Sequence, residues 1–210
     1  MAQLDTRPLL IVISGPSGAG KGTALDHISR LGAAKRVPTY TTRAMRSGEA
    51  AGVNYEYVSE ERFFELYAQG VIFEYTRTYQ DSYYGSPSAL LQHTDPEPLA
   101  AELDPHGFVR VRAASTRRVV GLFIAATSES TLRTRLEERG QETGIDQRLK
   151  VRTDQMVWSW IYDYVLFNED RDEFLADLEA VVKSELLRTE GARRILALGK
   201  DLQPTLTSGE

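Results

Sequence analysis

Residues 15–23 read Gly-Pro-Ser-Gly-Ala-Gly-Lys-Gly-Thr. They follow an apolar run at 9–14 that predicts a buried strand, and they precede a segment, 24–31, whose apolar residues recur at helical spacing. A strand, a glycine-rich loop and a helix in this order form a phosphate-binding arrangement, because backbone N–H groups and the helix N-terminus converge on the anion. The expected fold class is α/β, with a parallel sheet and flanking helices.

The spacing within this loop is that of the P-loop, G-x-x-x-x-G-K-[ST], with one deviation. Lys21 is in place to contact phosphates, but Gly22 stands where Ser or Thr is usual, and Thr23 follows. Because that hydroxyl normally ligates magnesium, Thr23 is the remaining candidate ligand from the loop. The phosphate-binding residues predicted here are Gly15, Pro16, Ser17, Gly18, Ala19, Gly20, Lys21, Gly22 and Thr23. A glycine-rich turn with a chance lysine is the alternative, which the flanking strand and helix disfavour.

Length, charge and composition exclude several classes of protein. The 210 residues suit one domain with a sizeable core, and 25 basic against 30 acidic residues give a net charge of -5. This balance argues against a general nucleic-acid or membrane-surface binder. The absence of cysteine excludes disulfides and thiolate metal sites, and the first apolar run is too short to span a bilayer. We therefore expect a cytoplasmic protein without nucleic-acid or membrane partners.

A small mixed lobe is predicted at about 37–86, inserted after the first strand and helix. Its pattern predicts a strand, a helix and a second strand at 52–58, 59–69 and 71–75. At 82–87 a turn is expected, with Ser86 and Pro87 at the N-cap and first position of a helix.

Two features of this lobe are candidates for ligand binding. Arg43 and Arg46 lie among hydroxyl-bearing residues, which is poor core material and good anion-binding material. Glu74 is flanked by apolar residues, so it either points to solvent from a sheet edge or faces a ligand. Spacing alone favours solvent for Glu74.

Further motifs follow in order along the chain. They are Thr41-Thr42-Arg43-x-x-Arg46-x-Gly48-Glu49-x-x-Gly52-x-x-Tyr55, Glu74, Tyr83-Tyr84-Gly85-Ser86, Arg135-Leu136-x-x-Arg139-Gly140, Arg148 and Tyr164-Val165-Leu166-Phe167-Asn168. Together with the P-loop they resemble the guanylate kinase family over about 9–187. The resemblance implies a P-loop NTPase fold with a central parallel sheet, a mixed α/β acceptor-binding lobe and a helical lid. It also implies transfer of the γ-phosphoryl group from ATP, with Mg2+, to GMP or dGMP, releasing ADP.

The resemblance also implies an acceptor site. The phosphate of GMP would be held by Arg43, Arg46, Tyr55 and Tyr84. Guanine would be recognised by Thr39, where the family more often has Ser, and by Glu74, Ser86 and Asp104. The chemistry agrees, because a carboxylate accepts from two adjacent guanine N–H groups, a pattern that adenine cannot offer.

The segment 90–114 allows two interpretations. In the family register a strand ends at Glu102-Leu103-Asp104 and a helix follows His106-Gly107. Local chemistry instead favours a short helix at 98–103, a turn and a strand at 108–112. In that second case arginines would replace the family's acidic pair, and acceptor or magnesium binding would be rearranged. We adopt the family register for Asp104, with a turn aspartate as the alternative.

Arginines gather again at about 131–149, where a helix and a glycine-containing loop are predicted. A solvated basic face is the alternative. Beside a P-loop, this segment resembles the lid that covers the phosphates and neutralises the transition state. The resemblance implies Arg135 on the ATP side and a catalytic set of Lys21, Arg43, Arg139 and Arg148.

The last part of the chain completes the sheet. We predict a buried strand at 118–126, a helix at 156–162 with its tryptophans in the core, and a final strand at 164–167. Asn168 follows that strand, where ligands of parallel sheets bind, and the resemblance places it near the adenine of ATP. Asp170 begins a capping box for a helix that ends at 187.

The chain is thus expected to form one guanylate-kinase-like domain over 1–210. Its predicted parts are a core at about 7–34, 87–130 and 150–190, the acceptor-binding lobe at 37–86, the lid at 131–149 and a loose tail at 191–210. One alternative is a kinase of this fold that acts on another nucleoside monophosphate or a sugar phosphate. A second is an inactive binding module, which the presence of Lys21, Arg139 and Arg148 disfavours. A homodimer is left open.

Overall fold

The computed structural model describes residues 5–78, 81–125 and 156–201. Their elements in chain order are β1 (Leu9–Ser14), α1 (Lys21–Arg30), β2 (Lys35–Arg36), β3 (Thr39–Thr41), β4 (Tyr55–Tyr57), α2 (Glu60–Ala68), β5 (Ile72–Arg77), β6 (Tyr83–Pro87), β7 (Leu99–Glu102), α3 (Pro105–Ala114), β8 (Arg118–Ala125), β9 (Tyr164–Phe167) and α4 (Arg171–Asp201). Short 3-10 turns occupy Ser88–Leu90 and Val157–Ile161. The predicted lid at 131–149 lies outside the described residues.

A parallel sheet in the order β2-β7-β1-β8-β9 forms the core of the molecule. Every residue of β1 is buried, because neighbouring strands flank it and helices cover both faces. Leu25 of α1 and Phe174 of α4 pack in one apolar cluster, and Phe108 of α3 packs in the other. The α/β fold class and the predicted strands at 9–14 and 164–167 are confirmed, and the strand predicted at 118–126 is confirmed over its described residues, 118–125.

A second, mixed sheet has the order β4-β3-β6-β5. β3 pairs with β4 in parallel and with β6 antiparallel, and β5 pairs antiparallel with β6. α2 packs on this sheet through the buried side chains of Phe63 and Leu66. A Cβ at Gly85 would lie 2.8 Å from Phe63 Cζ, so glycine in β6 allows the helix to come this close.

The segment 98–114 follows the family register, and the alternative order of helix, turn and strand is wrong. β7 pairs in parallel with β1, from Leu10↔Leu99 to Ile13↔Glu102. Asp104 is the N-cap of α3, and its Oδ1 accepts a hydrogen bond from the Gly107 N–H at 2.7 Å. Burial of β7 between β1 and β2 outweighs the local helix propensity of 98–103.

Two local predictions are wrong, one for Ser86 and one for Trp160. Ser86 is not an N-cap but lies in β6 opposite Glu74 of β5, where pairing between strands prevails over the Ser-Pro capping pattern. Trp160 is 90% exposed and therefore not in the core, whereas Trp158 is partly buried against it.

The last helix is longer than predicted. α4 begins after Asp170, whose Oδ1 accepts from the N–H groups of Asp172 (2.8 Å) and Glu173 (3.0 Å), and it continues to residue 201. Its extension is anchored by Arg118 of β8, which donates to Thr189 Oγ1 at 2.8 Å. The predicted loose tail therefore does not begin at 191.

Candidate active site

The loop between β1 and α1 is shaped by glycines with left-handed backbone. Gly15, Gly18 and Gly20 have φ values of 143°, 85° and 105°. A Cβ at Gly15 would also lie 2.2 Å from the Ile124 carbonyl oxygen. Gly20 is the N-cap of α1, so the loop leads directly into the free N–H groups of a helix N-terminus.

Lys21 lies against this loop, and its side chain is 15% exposed. Its Nζ donates to the carbonyl oxygens of Gly15 (2.8 Å) and Pro16 (2.9 Å). The same atom lies 3.5 Å from Glu102 Oε1 at the end of β7. A cation and a carboxylate therefore meet at the carboxyl ends of β1 and β7, where ligands of parallel sheets bind.

Asn168 supports the loop from the end of β9. Its buried side chain donates from Nδ2 to the Ala19 carbonyl oxygen at 2.7 Å. A Cβ at Gly20 would lie 2.2 Å from that Nδ2, so the contact requires glycine there. The structure thus places Asn168 against the predicted donor loop.

Gly22, the deviation in the motif, faces open space. Nothing lies within 4 Å of a Cβ added at this position. Packing therefore does not require glycine at position 22. The neighbouring hydroxyl is that of Thr23, which is half-buried in α1.

Arg43 is fixed by a carboxylate and a phenol. Its guanidinium donates to both oxygens of Glu49 (2.6 and 2.7 Å), and its Nε donates to Tyr84 Oη at 2.9 Å. Glu49 Oε2 also accepts from the Arg46 N–H and from Tyr57 Oη, both at 2.8 Å. Burial alone would raise the pKa of Glu49, but hydrogen bonds from Arg43, Arg46 and Tyr57 lower it to about 2. The carboxylate is therefore ionised at neutral pH and holds Arg43 in place.

Tyrosine rings surround this guanidinium. The Arg43 Cζ lies 5.0 Å from the ring centre of Tyr55, which meets the Tyr84 ring edge-on at 5.7 Å. Burial, together with the nearby charge of Glu102, raises the pKa of Tyr55 well above its usual value. Its hydroxyl is thus a neutral donor, and the cluster presents positive charge and O–H groups suited to a phosphate.

A buried polar pocket lies on the mixed sheet beside this cluster. Glu74 and Ser86 face each other across β5 and β6, and the Ser86 hydroxyl donates to Glu74 Oε1. Because Tyr40 pairs with Gly85, Thr39 of β3 lies opposite Ser86 on the other side. Thr39, Glu74 and Ser86 are each at most 7% exposed. The prediction that spacing alone favoured, an exposed Glu74, is wrong.

The first turn of α3 closes this pocket. A Cβ at Gly107 would lie 2.8 Å from Glu74 Oε1 and 3.5 Å from Asp104 Oδ1. Burial raises the pKa of the Glu74 carboxyl, Ser86 lowers it, Asp104 raises it and Arg110 lowers it, with a net increase. The pocket therefore brings together the predicted residues Thr39, Glu74, Ser86 and Asp104.

Sequence reasoning missed other residues of the site. Arg110 donates to Glu74 Oε2 at 3.1 Å, and Gly107 makes room for that carboxylate. Helical spacing could have indicated both residues, because Gly107 and Arg110 are three positions apart and share one face of α3. Glu49 and Tyr57 were also not assigned to the site. Arg135, Arg139 and Arg148 lie outside the described residues.

Neither a metal cluster nor a membrane span is evident in the parts of the chain that the structure describes. Within 5–78, 81–125 and 156–201, no group of three or more His, Cys, Asp or Glu side chains could hold a metal ion. No helix in these ranges is long and apolar enough to cross a membrane.

Comparison with known proteins identifies relatives along most of the chain. A sequence model described as guanylate kinase matches residues 7–185. A guanylate kinase of Alkalilimnicola ehrlichii is 36% identical over 192 residues, covering 90% of this chain and 94% of that protein. One of Clostridioides difficile is 32% identical over 193 residues, covering 90% and 93%. The crystal structure of guanylate kinase from Anaplasma phagocytophilum matches with a TM-score of 0.68 and 26% identity, covering 87% of this chain and 88% of that one.

Proposed function

The chain belongs to the guanylate kinase family and phosphorylates GMP with ATP as donor, and we propose how its residues divide this work. The donor loop, residues 15–23, holds the phosphates of ATP, and the mixed sheet with the first turn of α3 holds GMP. The observation that carries the guanine assignment is the buried Glu74 carboxylate, engaged by Ser86 and beside Asp104. The γ-phosphoryl group passes from ATP to the phosphate of GMP, giving ADP and GDP.

In the donor half, we assign the transfer chemistry to charge and position. Lys21 exchanges its carbonyl contacts for phosphate oxygens and neutralises charge that develops during transfer. No general base is needed, because the acceptor phosphate is already an oxyanion. The roles of Arg135, Arg139 and Arg148 in covering the phosphates, and of Asn168 beside adenine, stay predictions from the sequence.

In the acceptor half, Arg43 is the central phosphate ligand. Glu49 fixes one side of its guanidinium, so less conformational entropy is lost when the phosphate binds. The hydroxyls of Tyr55 and Tyr84 and the charge of Arg46 complete the proposed phosphate site. This arrangement favours a nucleoside monophosphate over a nucleoside.

One carboxylate at the edge of the central sheet makes the site suitable for magnesium. Gly22 offers no side-chain ligand, but Glu102 lies 3.5 Å from Lys21 at the carboxyl edge of the sheet. We propose that ATP phosphates and water hold most of the Mg2+ coordination, with Glu102 and Thr23 as the protein groups available to it. When bound, the ion neutralises phosphate charge during transfer.

A coupled ADP-release assay across GMP, dGMP, AMP, IMP and ribose phosphates tests the function. We expect strong turnover on GMP and weaker turnover on dGMP. Turnover on AMP or a sugar phosphate with none on GMP would overturn the guanine assignment. Absence of turnover on every acceptor would favour the inactive binding module.

Cellular location, assembly and domain limits stay predictions. We propose a cytoplasmic enzyme without nucleic-acid or membrane partners, with the core, lobe and lid limits given from the sequence. A homodimer stays open, and size-exclusion chromatography with light scattering tests it.

A further inference from the structure

Arg110 links the two layers of the molecule at the guanine pocket. Its Nη1 donates to Glu74 Oε2 and to the Tyr75 carbonyl oxygen, both at 3.1 Å. Arg110 belongs to α3, which packs on the central sheet, whereas Glu74 and Tyr75 belong to β5 of the mixed sheet. A cation from the core layer therefore holds a carboxylate of the acceptor layer.

Both oxygens of Glu74 are engaged in this way. Oε1 accepts from the Ser86 hydroxyl of β6, and Oε2 accepts from Arg110. Among the described residues, the other charged group that faces it is Asp104, at the N-cap of α3, and the Gly107 backbone lies against Oε1. Burial and Asp104 both raise the pKa of Glu74, while Arg110 and Ser86 lower it. Arg110 is thus the cation that opposes protonation.

The protonation state of this carboxyl determines which purine fits. An ionised carboxylate only accepts hydrogen bonds, which matches the adjacent N1–H and N2–H donors of guanine. Against adenine the same carboxylate meets the lone pair of N1, so two acceptors oppose each other. A protonated carboxyl could donate to that N1, and the penalty against adenine would fall.

We propose that Arg110 is a positioning residue that sets the preference for guanine over adenine, by holding the Glu74 carboxylate ionised and oriented. This inference rests on the proposed function, since it assigns a residue to the selectivity of the same acceptor site. Arg110 is not expected to touch a reacting atom and acts through Glu74.

The test compares Arg110→Gln, Arg110→Lys and Arg112→Gln with the parent enzyme. Arg112 is the matched control because it lies on the same helix but donates to Asp163 (2.8 Å) and the Ile161 carbonyl oxygen. kcat and KM are measured for GMP, IMP and AMP between pH 5.5 and 8.5, with thermal melting to establish folding.

We expect Arg110→Gln to lower kcat/KM for GMP about threefold to tenfold at pH 7, a modest range because Arg110 is half exposed. Removing the cation raises the pKa of Glu74 further, so the acid limb of the GMP profile moves to higher pH. GMP activity then recovers toward pH 8.5, while the ratio of kcat/KM for AMP to kcat/KM for GMP (the AMP/GMP ratio) rises about tenfold at pH 6. Arg110→Lys keeps the charge and restores most of the preference.

The possible outcomes distinguish failure of the Arg110 assignment from failure of the proposed function. If the parent enzyme does not use GMP, the proposed function itself fails. If it does, and Arg110→Gln leaves both the GMP pH profile and the AMP/GMP ratio unchanged, the assignment of Arg110 is overturned. It is also overturned if all acceptors lose activity equally at every pH, or if Arg112→Gln shifts the ratio by the same amount.

Discussion

The donor loop and the guanine pocket are built in opposite ways. The loop is one continuous stretch whose shape comes from backbone, with three left-handed glycines and a helix N-terminus. The pocket has no continuous stretch, since Glu74, Ser86 and Arg110 come from β5, β6 and α3. The shape of the loop is therefore set by backbone conformation, whereas the shape of the pocket depends on contacts between side chains.

The largest effect is expected where the donor loop relies on a side chain. Lys21→Met removes the cation at the phosphates and should lower kcat about 10³-fold, with melting temperature nearly unchanged. Steady-state kinetics with GMP and ATP measure this loss. Lys35→Met is the control, because Lys35 is exposed and lies 3.9 Å from Glu97. A loss below tenfold for Lys21→Met would show that backbone N–H groups alone carry the donor site.

The next largest loss of activity is expected from a change confined to the guanine pocket. Glu74→Gln keeps the shape but replaces one acceptor oxygen by a donor, so kcat/KM for GMP should fall about 10²- to 10³-fold. KM for ATP should stay within about twofold, because Glu74 lies on the mixed sheet, apart from the donor loop. Glu65→Gln, on the exposed face of α2, controls for the loss of one carboxylate. Equal losses for both nucleotides would contradict the division into two halves.

The same contrast explains what the sequence could predict. The loop, its strand and its helix follow from contiguous spacing, so Gly15, Gly20 and Lys21 were identified without tertiary information. The pocket residues were assigned only through family resemblance, because burial of Glu74 depends on pairing between β5 and β6 and on the approach of α3. Periodicity within β5 favoured solvent for this carboxylate.

Residues that only three-dimensional packing brings together were missed. Nothing in the local sequence pairs Arg110 with Glu74, which are 36 residues apart. The Ser86 prediction shows a related error, because strand pairing prevailed over the local capping preference, and strand pairing likewise excluded the alternative helix at 98–103.

A glycine in α3 offers a sharper test of the pocket. Gly107→Ala places a Cβ 2.8 Å from Glu74 Oε1, which Ser86 and Arg110 hold in place. We expect KM for GMP to rise about tenfold, as for other overpacked sites, while the helix itself gains stability from alanine. Gly191→Ala in α4 is the matched control, because nothing lies within 4 Å of its added Cβ. A loss of melting temperature with unchanged KM would contradict the account of this contact.

The smallest effect is expected at the deviation in the donor loop. Gly22→Ser adds a hydroxyl into open space at the position where P-loops usually carry one, so the backbone can accept it without rearrangement. If the new hydroxyl reaches Mg2+, the metal concentration for half-maximal activity should fall about threefold. Gly22→Ala is the control, because it adds the same Cβ without the oxygen. Identical magnesium dependence in both variants would mean that phosphates, water and Glu102 already saturate the ion, and that the donor site tolerates Gly22 because its metal needs no ligand there.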